Sequence, residues 1–181
     1  MDIGSIGWGI LISLAACVIT KIIFTPRLSV SKEIIITPKT KRYRVAVMNN
    51  SWLRDACEIF VQIRYHFDDG HYYSVKVDTI LFLNRRRTKK QKGFGSNRVI
   101  LNIPGYKGSD GKDHTVDDFF SQGQTSRERY IEIFVIGNDP FEGARALKHN
   151  TYQKEDIRPN CYFRIGTVEV ESLAEEQDVI N

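Results

Sequence analysis

His66-Phe67-Asp68-Asp69-Gly70-His71 puts two imidazoles and two carboxylates within six residues, the donor types that hold a divalent cation. Asp-Asp-Gly is also what a tight turn requires for backbone reasons, and no Cys or carboxylate cluster elsewhere completes a known geometry. The run therefore reads as a hairpin turn, and no metal is expected. Nucleophilic chemistry would need a thiol or hydroxyl activated by a base. The cysteines stand at 17, 57 and 161 and the histidines at 66, 71, 114 and 149, with no Gly-rich nucleophile elbow and no Cys–His signature. Cys57 falls on the inward side of an alternating strand. His114 and Asp117 read as the tie of a loop, not a proton relay. No glycine motif follows a strand and opens a helix to cradle phosphate. No catalytic residue and no cofactor site is assigned, and enzymatic activity is not expected.

One segment stands out by charge. Arg85, Arg86, Arg87, Lys89, Lys90 and Lys92 supply six of the 26 Lys and Arg residues. Without them the chain carries 20 basic against 22 acidic residues, so its net charge of +4 belongs to one loop. Six cations suit an anionic lipid surface, and with Arg27 and Lys32 they form the candidate lipid-binding set. RNA binding would need aromatic residues interleaved for stacking, and only Phe94 is near, so nucleic acid is not an expected partner.

Such a segment acts on a membrane only if the chain is held there. From Ile3 to Thr20 there is no charge, and the apolar run continues past Lys21 through Ile22, Ile23 and Phe24. These 22 residues would span about 33 Å as a helix, enough to cross the hydrocarbon core. Leu14-Ala15-Ala16-Cys17 has the form of a lipoprotein cleavage site, but no Lys or Arg precedes position 21 and the apolar run continues past Cys17. An uncut anchor is the expected reading. Lys21 near the end of the helix and Arg27, Lys32, Lys39 and Lys41 after it place the C-terminal domain in the cytoplasm by the positive-inside tendency. Ser5, Gly9, Ser13 and Cys17 recur every fourth residue as a candidate self-association seam.

Beyond Pro26 the helical period disappears. Cys57, Ile59, Val61, Ile63, Tyr65 and Phe67 alternate with polar residues as a half-buried strand. Asp69-Gly70 then turns the chain into Tyr73, Val75 and Val77 as a hairpin partner. Further strands are expected at EIIIT, YRVAVM, RVILNI, YIEIFVI and CYFRIGTVEV, separated by Asn49-Asn50-Ser51, by the glycines of GYKGSDGKD and by Gly137-Asn138-Asp139-Pro140. Seven or so short strands without a long amphipathic helix predict an all-β, immunoglobulin-like sandwich. The expected organisation is a transmembrane helix over 1–25, a juxtamembrane linker and first strand over 26–42, the sandwich over 43–171 and an acidic tail over 172–181. A disulfide between Cys57 and Cys161 is conceivable, but the two thiols suit a reducing compartment equally well.

The domain resembles the cytoplasmic immunoglobulin-like (E-set) domain of inward-rectifier potassium channels. The likeness runs from Tyr43 to Phe163. It rests on Arg44, Val45, Ser51, Leu53, Asp55 and Ala56 in YRVAVMNNSWLRDA, and on His114-Thr115-Val116-Asp117. A third segment carries Gly137, Gly143, Tyr152, Asp156, Ile157 and Phe163. The channels' pore helix and T-x-G-(Y/F)-G filter are not in this sequence; Gly93-Phe94-Gly95 follows a run of lysines and reads as a loop. The resemblance implies the fold, membrane proximity, a response to anionic lipid and assembly as a homo-oligomer, a tetramer in the channels. Taken together, the expectation is a single-pass membrane protein whose sandwich is an interaction or sensing module for lipid, a small ligand or a protein partner. The alternative is an oligomeric effector or channel-like assembly that permeabilises the membrane when ligand binds.

Overall fold

Alternation builds the centre of the domain. The computed structural model describes residues 3–51, 53–84, 96–108, 110–121, 129–140, 143 and 145–172. In chain order the elements are α1 (Ile3–Phe24), β1 (Leu28–Val30), β2 (Ile34–Ile36), β3 (Tyr43–Asn49), β4 (Ala56–His66), β5 (Tyr72–Leu83), β6 (Arg98–Asn102), β7 (Tyr106–Lys107) and β8 (Asp113–His114). There follow α2 (Val116–Ser121), β9 (Tyr130–Asn138), β10 (Arg145–Tyr152), β11 (Ile157–Pro159), β12 (Cys161–Phe163) and β13 (Val170–Ser172).

Two sheets share one core. The first pairs β3 with β6 along one edge and with β1 and then β2 along the other, and β11 adds to β2 in parallel. The second is the antiparallel sheet β10-β9-β4-β5. Val45 and Val47 of β3 meet Ile59, Val61, Ile63 and Tyr65 of β4 and Ile131, Ile133 and Val135 of β9 between them. The domain is thus an all-β sandwich of two packed sheets. YRVAVM lacks polar alternation because the first sheet is covered on both faces. Ala46 and Ile35 point outward into a second cluster with Cys161 and Phe163 of the β12–β13 hairpin.

The N-terminal edge is one strand broken at Ser31. The buried Ser31 donates its backbone N–H to the Ala46 carbonyl (2.9 Å) and its hydroxyl to the Glu33 carbonyl (2.8 Å). Its own carbonyl accepts from the Tyr152 hydroxyl (2.6 Å) and the Asn150 amide (2.9 Å), both on β10 of the other sheet.

Three expectations need correction. Cys57 does not face the core: a bulge between Cys57 and Phe60, with Glu58 at φ 48°, turns Ala56 inward and leaves Cys57 half-buried. CYFRIGTVEV is not one strand. Gly166 at φ 77° reverses the chain, so Cys161–Phe163 pairs back onto Val170–Ser172. Gly137 and Asn138 belong to β9, and the turn begins at Asp139, whose carbonyl accepts from the Gly143 N–H (3.1 Å). Cys57 and Cys161 sit on different sheets, and neither is disulfide-bonded.

Burial raises the phenols of Tyr65 and Tyr152 well above the ordinary tyrosine range; burial and then the Asp117 carboxylate do the same for Tyr43. With folded values above the unfolded one, the stabilisation is complete below about pH 10 and is lost as pH rises toward the folded values. Tyr65 and Tyr152 should therefore each lower stability by about 1.4 kcal/mol per pH unit above about pH 10. Phenolate absorbance during an alkaline titration should lag for these tyrosines and then appear with cooperative unfolding. Independent titration of all tyrosines in a folded chain would contradict this.

Candidate functional site

The two ends of the sandwich differ in chemistry. At the end where the chain arrives from α1, the buried Asn49 is a hub. Its side-chain amide donates to the carbonyls of Arg54 (2.9 Å) and Leu83 (3.3 Å), and its Oδ1 accepts from the Ser51 N–H (3.0 Å). Its backbone N–H reaches the Asn97 carbonyl (2.8 Å), and the next residue, Asn50, donates to the Arg27 carbonyl (2.7 Å). Asn84 donates to the Ser96 carbonyl (3.1 Å), closing the base of the β5–β6 connection at this same end. The six cations Arg85 to Lys92 lie between these anchors, outside the described residues. Arg27 and Lys32, on the N-terminal edge strand and its lead-in, are exposed. Gly93-Phe94-Gly95 and the tail after Ser172 are also outside the described residues.

In α1 every side chain from Gly7 to Lys21 is exposed, including Trp8, Ile10, Leu11, Ile12, Leu14, Val18 and Ile19. Gly9, Ser13 and Cys17 line a shallow groove flanked by Ile10 and Leu14, and Ser5 lies one turn earlier in the helix. Among the described residues no helix is long and apolar enough to cross a membrane.

At the far end the HFDDGH run disperses, as a turn would make it. The Asp68 carboxylate takes the Arg129 guanidinium (2.5 Å), which holds that carboxyl below its ordinary range. Asp69 pairs with His71 (3.2 Å). His66 points to the outer face of the second sheet, bonded to Glu132 (3.1 Å) and stacked on Tyr130 with ring centroids 4.4 Å apart. Among the described residues no group of three or more donors could hold a metal ion. His114 and Asp117 tie different parts of the loop. His114 bonds Asp110 (3.1 Å) and stacks on Tyr106, whereas Asp117 accepts from the Tyr43 hydroxyl. His149 stands apart, stacked on Phe134. Burial, then the carboxylates of Glu58 and Asp139, keep the Cys57 thiol above its ordinary value, so it is not a ready thiolate.

Sequence reasoning missed what the far end assembles. The β4–β5 turn and the β7–β8 hairpin face one another across a cleft of about 750 Å³, with Tyr73, Tyr106, Lys107 and His114 among its lining. Tyr65, Phe67 and Phe119 pack beneath Tyr106 with ring centroids 5.1 to 5.7 Å apart. The hairpin is tight: a Cβ on Gly105 would lie 2.0 Å from the His114 carbonyl oxygen, so only glycine fits there. The signal was present in GYKGSDGKDH, two glycine-spaced turns around an aromatic, but nothing in it named the opposing wall.

No protein-family model matches the chain, and no curated protein matches its sequence.

Proposed function

We propose that the chain is a single-pass membrane protein. In this reading α1 is the anchor and the sandwich, of the inward-rectifier-like immunoglobulin type, is a cytosolic interaction or sensing module held against an anionic leaflet. The observation that carries it is the uncovered helix: among its described residues α1 has no polar face, and the large apolar side chains from Trp8 to Ile19 are exposed around it. Removing each from water is worth about 1.5–3 kcal/mol, so the helix calls for an apolar cover. Over its full length, Ile3–Phe24, it reaches about 33 Å. Arg27 and the residues that flank the basic segment, Asn84 and Ser96, stand at the end of the sandwich where α1 joins, which is where a leaflet would lie. The cleft at the other end is left for a small ligand.

A second reading has the groove at Gly9, Ser13 and Cys17 in its favour: the protomers associate through α1, and a ligand-driven rearrangement makes the membrane leaky. One set of cells tests both. With Lys154→Cys, an exposed site on the sandwich, a membrane-impermeant maleimide should label the protein only after lysis, and mass should retain the first 16 residues. Labelling of intact cells, or a chain that begins at a lipid-modified Cys17, would replace the cytosolic module by an exported lipoprotein. Loss of membrane potential on overproduction, abolished by Gly9→Leu with Ser13→Leu, would favour the effector.

A further inference from the structure

Turns at the surface of a sandwich are ordinarily polar, because water and turn chemistry both favour Gly, Asn, Asp and Ser there. Two turns depart from this. Among the described residues, the large apolar side chains exposed outside helices and strands are Leu53 at 58% and Ile165 at 92%. Both stand in turns that hydrogen bonds hold in shape. At the β3–β4 connection the Arg54 N–H donates to the Ser51 hydroxyl (3.1 Å), and the Arg54 carbonyl accepts from the Asn49 amide (2.9 Å). At the β12–β13 hairpin the Thr167 N–H donates to the Arg164 carbonyl (3.2 Å) and Gly166 takes φ 77°. Arg98 of β6 clamps that turn, its Nη1 donating to the carbonyls of Arg164 (2.6 Å) and Thr167 (2.9 Å). One exposed apolar residue needs no explanation. Two, each displayed by an ordered turn, call for one if they share a place.

They do. Arg98 stands opposite Met48, the neighbour of the Asn49 hub, and Asn97 before it accepts from the Asn49 N–H. The Ile165 turn is therefore an arginine's length from the end where α1 arrives, and the Leu53 turn is at that end. The tether is short. α1 ends at Phe24, Pro26 is already buried, and the Arg27 carbonyl accepts from the Asn50 N–H (2.7 Å). Three residues of extended chain reach about 11 Å at most. The headgroup region adds about 5–8 Å on each side of the hydrocarbon core. With α1 across that core, the β3–β4 turn lies in or beside the headgroups. Charge does not oppose the contact. Arg27 is exposed near the first tip. At the second, Arg98 and Arg164 offset Glu169 and Glu171, which stand 3.9 and 3.3 Å from Arg164.

We infer that Leu53 and Ile165 are apolar wedges that enter the interfacial layer of the membrane and fix how the sandwich sits on it. This rests on the anchor reading, which brings that end to the leaflet. It adds the orientation, since a tether alone leaves the domain free to turn and two tips on separate connections do not. The test places a polarity-sensitive maleimide dye on the full chain in vesicles containing phosphatidylserine. Leu53→Cys and Ile165→Cys are compared with Tyr72→Cys, an exposed site at the opposite end of the sandwich, and the unaltered chain gives the background of its own thiols. Circular dichroism establishes that each variant is folded. Emission at 53 and 165 should shift to the blue, and should be lost when the lipids carry a nitroxide just below the headgroup. Emission at 72 should do neither. Because the contact is apolar, the shift should persist in salt that screens the basic segment. Tips that stay in water while the chain resists alkaline carbonate extraction overturn the proposal and leave the anchor standing. A shift at one tip only, or an equal shift at 72, overturns it too. If carbonate releases the chain and both tips still shift, the anchor reading fails and the wedges stand.

Discussion

Tyr152→Ala should be among the most damaging single substitutions in the sandwich, at about 3–5 kcal/mol, the range for removing a large buried aromatic side chain. For a domain of this size the melting temperature should fall by roughly 6–20 °C. Two effects add. Tyr152 is fully buried at the end of β10, so alanine leaves a cavity between the sheets. Its hydroxyl also donates to the carbonyl of Ser31, the residue at which the N-terminal edge strand breaks. Tyr152→Phe separates them: it retains the ring, leaves Asn150 as the donor to that carbonyl, and should lose only about 0.5–1.5 kcal/mol. Because β1 and β2 are the pieces that tie the helix-bearing segment to the domain, amide exchange should rise first across residues 28–36. A loss below about 1 kcal/mol for alanine would mean that the site collapses freely and that the break at Ser31 is held by the first sheet alone.

How far the sequence foretells this depends on what each segment buries. β4 and β9 were legible because each has one face on the core and the apolar period of two survives in the letters. β10 was not. Its inward positions are Ala146, Asn150 and Tyr152, while Leu147 points out, so the apolar pattern is close to inverted. Asn150 faces inward because it hydrogen-bonds a backbone carbonyl of the opposite sheet, a partner more than a hundred residues away that no local window contains. α2 has only six residues, too few for a helical period, yet Phe119 and Phe120 close the far end of the core. The bulge that moves Cys57 out depends on Glu58 adopting a left-handed backbone, for which glutamate gives no cue. Asn49 was read as a turn residue by type, but it is a buried hub that ties the end of β3 to the end of β5 and the approach to β6. The charge of the basic segment was plain in the sequence. That its two anchors stand beside the arrival of α1 came only from the pairing of β1, β3 and β6.

That placement leads to the largest effect expected of any change outside the core. Converting Arg85, Arg86, Arg87, Lys89, Lys90 and Lys92 to glutamine should weaken attachment of the sandwich to vesicles rich in phosphatidylserine by at least about 100-fold. Each cation near an anionic surface contributes about 1 kcal/mol, so six set an upper limit of about 6 kcal/mol, and screening over about 10 Å at 0.1 M salt takes part of it. The chain from residue 26 onward suits the measurement, because among the described residues the strands and the core cluster begin at Leu28. Attachment should fall steeply with salt and vanish on zwitterionic vesicles. Arg27→Gln with Lys32→Gln should reduce it further by roughly tenfold, since both are exposed and Arg27 lies at the same end. Neutralising Lys154 and Arg158, exposed on other parts of the surface, should change little. If it matters equally, attachment follows net charge, and no one end of the sandwich faces the leaflet. If the six-fold variant binds like the wild type, the segment is a solvated hairpin connection and the leaflet is met elsewhere. The Asn49 hub, with the Asn84–Ser96 bond, ties together the described residues on either side of that segment. The vesicle measurement asks what the six cations between them are for.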